Sequence, residues 1–280
     1  MWCFKIIIKS LGIAAGVSSI VGVVLSLISN QVPNSSFFIW IYLGSIVVVF
    51  LVAFLILRFN NGYRKIASNG RASICAQYGN ILKIEKKFSK NKPIVVIPVN
   101  SSFDTIVDKN IETNNKIINK DSIHGQWVDK YAPDIEARLQ LQRHIFELLK
   151  KRNLKPIKKL PNKRGNKDIY DLGTYIYLER EKCDYLLFAL TEFDENNKVI
   201  ASNPTQFLDL MEKLIKAFDE NPNRHFYVPL MGTRLGLFNI DCSQSFNCIK
   251  TAFQNNLQKL RSSVTIVIGS KERTKVSTYE

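Results

Sequence analysis

Ile94-Val95-Val96-Ile97-Pro98-Val99-Asn100-Ser101-Ser102-Phe103-Asp104 opens as a run of mostly β-branched apolar residues and ends in a cluster of hydrogen-bonding turn formers. An apolar run with no polar alternation suits a strand buried on both faces, as in the parallel sheets of α/β proteins. In open α/β sheets ligands bind beyond the carboxyl ends of the strands, so Asn100 to Asp104 is a site candidate. The alternative is an ordinary strand exit, with Asn and Asp capping backbone groups.

Two more buried runs end in a similar way. Asp184 to Phe193 leads into a loop at Thr191 to Asp194, and His225 to Met231 ends in Gly232-Thr233-Arg234-Leu235-Gly236. Glycines at such a place let backbone N–H groups approach a phosphate closely, and concave nests of this kind bind anions. Arg234 adds charge. No Gly-Lys-Ser/Thr follows, so this is not a Walker loop.

The remaining patterns fill in the layers. Ser73 to Ile84 reads as a strand pair or bent strand interrupted at Tyr78-Gly79-Asn80-Ile81, and Val264 to Gly269 as a final strand. Ile169 to Arg180 and Asp184 to Phe193 read as adjacent strands. After Pro133, residues Ile135, Leu139, Ile145, Phe146 and Leu149 form an apolar stripe at helical spacing, with Gln142 its one polar member. Thr205 to Asp219, started by Asn203-Pro204, and Ser243 to Arg261 are further helices. Alternating strands and helices imply an α/β domain with a mixed sheet flanked by helices.

The mean hydropathy of −0.05 hides two unlike parts of the 280-residue chain. Residues 1–60 carry only three charges, Lys5, Lys9 and Arg58, while the remainder carries 36 basic against 24 acidic residues. Such a positive domain suits a phosphate-bearing ligand, anionic lipid or nucleic acid. Ser10 to Ser29 and Phe37 to Leu57 are uncharged and long enough to span a bilayer, which needs roughly 20 apolar residues. The expectation is a transmembrane helical hairpin over residues 1–59, with helices at 10–29 and 37–57. A juxtamembrane linker at 60–72 and a ligand-binding domain at 73–280 would follow. Basic residues flank the pair and none lies in the turn, which places both termini and the domain on the cytoplasmic side of the membrane. Gly12 and Gly16 form a small-xxx-small pattern that permits close helix packing. Lys150 to Lys167 holds nine basic residues and no acid; a solvated loop is its default reading, and contact with anionic headgroups the sharper one. Five scattered cysteines and three histidines give no metal-ligand spacing, so no metal site or cofactor is expected.

Val228 to Gly236 resembles the strand and glycine-rich phosphate loop of macro domains. Ile97-Pro98-Val99-Asn100 resembles that family's strand ending in asparagine. Tyr78-Gly79-Asn80-Ile81 is similar to its early Gly-Asp-Ile element, with Asn80 in place of the aspartate, and Ser122-Ile123-His124-Gly125-Gln126-Trp127 sits where its first glycine-rich loop falls. With the two apolar stretches in front, the layout resembles the membrane effectors of type II Thoeris antiphage systems. That resemblance implies a TIR-domain partner producing an ADP-ribose-derived signal, histidine–ADP-ribose. It also implies binding of the signal by the macro domain, assembly of a homo-oligomer, and damage to the lipid bilayer. It implies that Asn80 and Ile81 meet the adenine, and that Asn100, Ser101, Phe103 and Asp104 line the distal ribose. Ser122, Ile123, His124 and Gly125 would enclose the diphosphate with Gly232, Thr233, Arg234, Leu235 and Gly236, and Thr191 would complete the site. Asp104 or Glu192 would pair with a cationic group on the ligand.

The hydrolysing members carry Asn-Ala-Ala-Asn where this chain has Asn100-Ser101-Ser102-Phe103. The second asparagine is missing, so a sensor without catalytic residues is expected. A membrane-anchored ADP-ribosyl or nucleotide hydrolase, with His124 as base, is one rival. A nucleic-acid binder using Lys150 to Lys167 is the other, disfavoured because that run lacks interleaved aromatics.

Overall fold

The run at Ile94–Asn100 forms the strand β3, inside a seven-stranded sheet. The computed structural model describes residues 12–13, 15–17, 19, 35–59, 62–86, 92–108, 116–233 and 238–278. These divide into one unit of Met1–Arg64 with Ser277–Glu280 and a second of Lys65–Val276. The strands are β1 (Arg64–Ser68), β2 (Ser73–Tyr78), β3, β4 (Lys158–Lys159), β5 (Asp168–Ile169), β6 (Tyr175–Leu178), β7 (Asp184–Thr191), β8 (His225–Pro229) and β9 (Ser263–Ile268). The large sheet runs β1-β2-β9-β8-β3-β7-β6, and β4 pairs with β5 separately. From β2 through β7 the neighbours are parallel, while β6 lies antiparallel on β7. Five strands therefore deliver their carboxyl ends to one edge.

Strict alternation inside β3 explains why its sequence shows none. Val95, Ile97 and Val99 join one buried cluster with Tyr185, Leu187 and Ala189 of β7. Ile94, Val96 and Leu186 are equally buried but stand outside that cluster, on the other face. The first face is covered by α2 (Ile123–Tyr131) and α3 (Ile135–Lys151), which pack on β3 and β6. The second is covered by α4 (Pro204–Phe218) and α5 (Cys242–Asn255). Both α4 and α5 begin with a capping box, Asn203 with Gln206 and Asp241 with Gln244, so the N-cap and N3 N–H groups of each first turn are engaged. Under α4 an aromatic stack holds the layer together. Phe218 stacks on Phe226 of β8 at 3.8 Å and faces Phe253 of α5 at 5.7 Å.

The other unit contains α1, Ser35–Phe59. Here the expected fold needs correction. Among the described residues no helix is long and apolar enough to cross a membrane. The first expected span, 10–29, lies mostly outside the described residues. The macro-like mixed sheet stands; the transmembrane hairpin ahead of it does not, and with it goes the two-span, type II layout.

Smaller differences have local causes. Residues 64–68 of the stretch read as linker form β1. Ile81–Lys86 is a 3-10 helix rather than strand, because the Asn80 side chain accepts from Leu82 N at 2.9 Å and starts a turn. The Ser122 to Trp127 segment, read as loop, begins the helix α2, capped where Ser122 Oγ accepts from Gly125 N at 3.0 Å. In α3 the stripe is narrower than its spacing suggests. Ile145 and Leu149 are buried with Leu141, whereas Ile135 and Leu139 are 77% and 55% exposed.

Truncating the aromatic stack with Phe218→Ala removes a ring that is 1% exposed. The expected loss is about 3–5 kcal/mol of unfolding free energy, read as a lower urea midpoint with unchanged slope.

Candidate functional site

Two strands part at the shared edge. The ladder between β3 and β8 is confined to Ile94↔Phe226 and Val95↔Tyr227, although both strands run on. Pro98 and Pro229, each lacking an N–H, sit in the stretches beyond it. Chain direction also diverges here, since β3 leads on to β7 on one side while β8 lies on the other. Such switch points, outside the carboxyl ends of the strands, are where open α/β sheets bind ligands.

Asn100 to Asp104 turns away from the end of β3 and is braced from every side. Asn100 Oδ1 accepts from Asp104 N at 3.0 Å, and Asn100 Nδ2 donates to Asp104 Oδ2 at 2.9 Å and to Ile117 O at 3.4 Å. Asp104 Oδ2 also accepts from Lys163 Nζ at 2.9 Å, and Asp104 Oδ1 from Asn166 N at 2.6 Å. Lys163 and Asp104 form an ion pair with side chains 0% and 1% exposed. Burial pushes the Asp104 carboxyl above its ordinary pKa, against the pull of the Lys163 ammonium and the Asn166 N–H. Asn166 Nδ2 donates to Ser102 O at 3.0 Å, and Gln142 Nε2 of α3 donates to Phe103 O at 2.9 Å. Phe103 takes a left-handed backbone, φ 51°, and packs edge-on against Tyr170 at 5.7 Å. Two polar groups escape this bracing. The hydroxyls of Ser101 and Ser102, on residues 0% and 1% exposed, have no hydrogen-bond partner among the described residues.

The other sequence candidates take distinct places. Thr191 ends β7 opposite Asn100, and its carbonyl accepts from Ser101 N at 2.7 Å. Asn80 is exposed after β2 and Ile81 is buried in the core below it. Ser122 and Gly125 are joined in the cap of α2, so Gly125 N is engaged internally, while Ile123 and His124 supply first-turn N–H groups without intrahelical partners. Gly125 is needed for packing as well, because a Cβ there would stand 2.2 Å from Asn119 O. Gly232 follows β8 at φ +79°, where a Cβ would press on Phe238 at 2.8 Å; Thr233 is next to it. Arg234, Leu235 and Gly236 lie outside the described residues.

Asn100, Ser101, Phe103, Asp104, Thr191 and His124 are thus brought together by direct contacts, and Asn80, Ile81, Gly232 and Thr233 share their edge. Asp104, Glu192 and His124 each have a partner within the chain. Asp104 is engaged by Lys163, Asn100 and Asn166, and Glu192 by Lys158. His124 is buried, bonded to the Asp104 backbone and tilted against Trp127 with ring centroids 6.5 Å apart; burial lowers its pKa to about 3, so the ring is neutral near pH 7. The sequence reading missed Lys163, Asn166 and Tyr170. Gln142 had a visible signal, as the single polar member of an apolar stripe.

Replacing Lys163 with Met leaves the Asp104 carboxyl buried without its cation. The expected cost is about 3–5 kcal/mol of stability, and Asp104→Asn in the same chain should recover a large part of it, a non-additivity read by chemical denaturation. Folding keeps His124 neutral while the unfolded chain protonates near pH 6.5, so its contribution is complete above that pH and is lost as pH falls toward about 3. Between pH 6.5 and 5, His124→Gln should flatten the fall of stability by up to about 1.4 kcal/mol per pH unit. An unchanged slope would place the ring in water.

The macrodomain of Oceanobacillus iheyensis is similar in fold. Its structure with MES bound gives a TM-score of 0.46 at 10% identity, covering 78% of this chain and 94% of that one. Its structure with ADP gives 0.45 at 11%, covering 75% and 90%. No curated protein matches the chain. The family described as Thoeris protein ThsA, Macro domain, matches residues 74–269, from the second residue of β2 to just past the end of β9. With that match spanning the whole parallel block and its strand-end loops, the chain belongs to the Thoeris ThsA macro-domain family.

Proposed function

We propose that the strand-end crevice binds an ADP-ribose-derived nucleotide and that the protein is a sensor. The observation that carries this is the pair of buried hydroxyls at Ser101 and Ser102, without a partner among the described residues, beside strands that part at a switch point. Buried polar atoms without partners are uncommon in native proteins and ask for a ligand or an ordered water. A sugar bearing hydroxyl groups suits them. The glycine backbone after β8 and the first turn of α2 offer N–H groups to a diphosphate, and the net charge of +15 favours an anionic ligand. Family membership supports an ADP-ribose-type ligand; histidine–ADP-ribose as the signal and a TIR-domain protein as its source are part of the proposal.

Binding rather than hydrolysis is favoured by the state of the two groups best suited to proton transfer. His124 is held neutral and turned to the Asp104 backbone, and the Asp104 carboxylate is surrounded by donors of its own chain. Neither is poised toward a substrate water. Self-association on binding would follow if the assembled form binds the signal more tightly, since only differential affinity shifts an equilibrium.

Calorimetric titration of the full chain with ADP-ribose and histidine–ADP-ribose tests the reading. One-to-one binding is expected, tighter for the decorated ligand, with no histidine released on prolonged incubation. Ser101→Ala with Ser102→Ala should weaken binding by about 0.5–1.5 kcal/mol for each hydroxyl. Release of histidine would move the hydrolase reading ahead, and a folded chain that binds neither ligand would sink both.

A further inference from the structure

A cavity of about 300 Å3 opens at the C-terminal end of α3, lined by Phe146, Lys150, Asn153, Leu154, Lys155 and Tyr170. None of these residues belongs to the strand-end loops. Its floor is apolar, because Phe146 and Leu154 pack partly buried against the core and Tyr170 is 6% exposed. The Tyr170 hydroxyl makes no hydrogen bond among the described residues, so a donor is free at an otherwise greasy wall.

The rim is positive for a reason that the basic run itself reveals. Six of its nine cations are engaged: Arg152 with Glu220, Lys158 with Glu192, Lys159 with Asp168, Lys163 with Asp104, Arg164 with Asp108, and Lys167 with the Lys163 carbonyl. Lys150, Lys151 and Lys155 remain exposed without a side-chain partner among the described residues, and two of the three line the cavity. Their spacing is set by backbone. Asn153 adopts φ 53° just after the helix, Asn153 N donates to Lys150 O at 2.9 Å, and Leu154 N donates to Leu149 O at 3.0 Å. This left-handed helix end turns the chain so that Lys150 and Lys155 both come to the cavity, and it engages the last helix carbonyls that would otherwise repel an anion.

We propose that this cavity is a second small-molecule site, which takes an anion with an aromatic body, of the class and size of a nucleoside monophosphate. The two ammonium groups hold the anionic group, and Phe146, Leu154 and Tyr170 hold the ring; the volume lies at the lower end of ligand pockets, roughly 300–1,000 Å3. An occupant touches Tyr170, whose N–H donates to Ser101 O at 2.9 Å and whose ring packs on Phe103. It therefore lies against the residue that backs the strand-end loop.

Fluorine NMR of the full chain labelled with fluorotyrosine, with the Tyr170 signal assigned through Tyr170→Phe, reads the site directly. AMP should shift that signal saturably, and inorganic phosphate should do so more weakly. Lys150→Glu with Lys155→Glu, both exposed, should weaken the AMP response at least tenfold, while Lys150→Arg with Lys155→Arg should keep it. No movement of the Tyr170 signal up to millimolar AMP overturns the proposal. So does an AMP response that the glutamate variant leaves intact, or one that both variants lose alike.

Discussion

The ammonium of Lys163 and the carboxylate of Asp104 meet at 2.9 Å with almost no exposure to solvent. Removing two charges from water is costly, and their attraction offsets it only when the remaining lone pairs and protons also find partners. Here they do. Asp104 receives Asn100 and the Asn166 N–H, and Lys163 gives its other protons to the carbonyls of Arg164 and Asn166. Gly165 completes the fit with φ +77°, since a Cβ there would stand 2.5 Å from Asp104 Oδ1. The pair joins residues 59 positions apart and fixes the loop after β3 in one arrangement. Without it, Asn166 could not brace Ser102 and Phe103, and the two serine hydroxyls would have no defined place.

Rigidity and opening are divided along the sheet. Between β3 and β7 the register runs the full length of β3, shifting only after Val99, and Asp184 at the start of β7 is held by Lys92 and Arg224. Between β3 and β8 the ladder stops after two residues. If the proposed ligand binds where these strands part, few groups would need to be ordered on its arrival, and preorganised sites bind more tightly for that reason.

How much of this was legible depends on how local each cause is. β3, β7, β8 and β9 announce themselves as short apolar runs because both faces are buried, and α4 because Asn203-Pro204 marks its start. The Ile81-Leu82-Ile84 spacing fits a strand or a turn, and the Asn80 side chain decides it. Ile123–Tyr131 is short and carries Gly125 near its start, so helical periodicity could not show. Lys163 sits in a basic run that reads as solvated, and only its remote partner makes it a core residue. Apolar length alone suggested two membrane spans, which no described helix provides. Of the candidate site, the strand-end positions were visible from the runs that precede them. The bonds that determine what Asp104, His124 and Gly125 do are long-range or belong to a helix cap, and no spacing encodes them.

The strand β2 pairs on one side with β9, joining residues such as Ser73 and Ser263 that are 190 positions apart. During synthesis Ile74, Cys75 and Ala76 leave the ribosome long before their parallel neighbour exists, although each is completely buried in the finished protein. Closing so large a loop is entropically expensive and makes such pairings late events in folding. For most of translation the chain therefore carries an unmatched apolar edge, and that nascent interval is when it is most exposed to aggregation and most in need of chaperones.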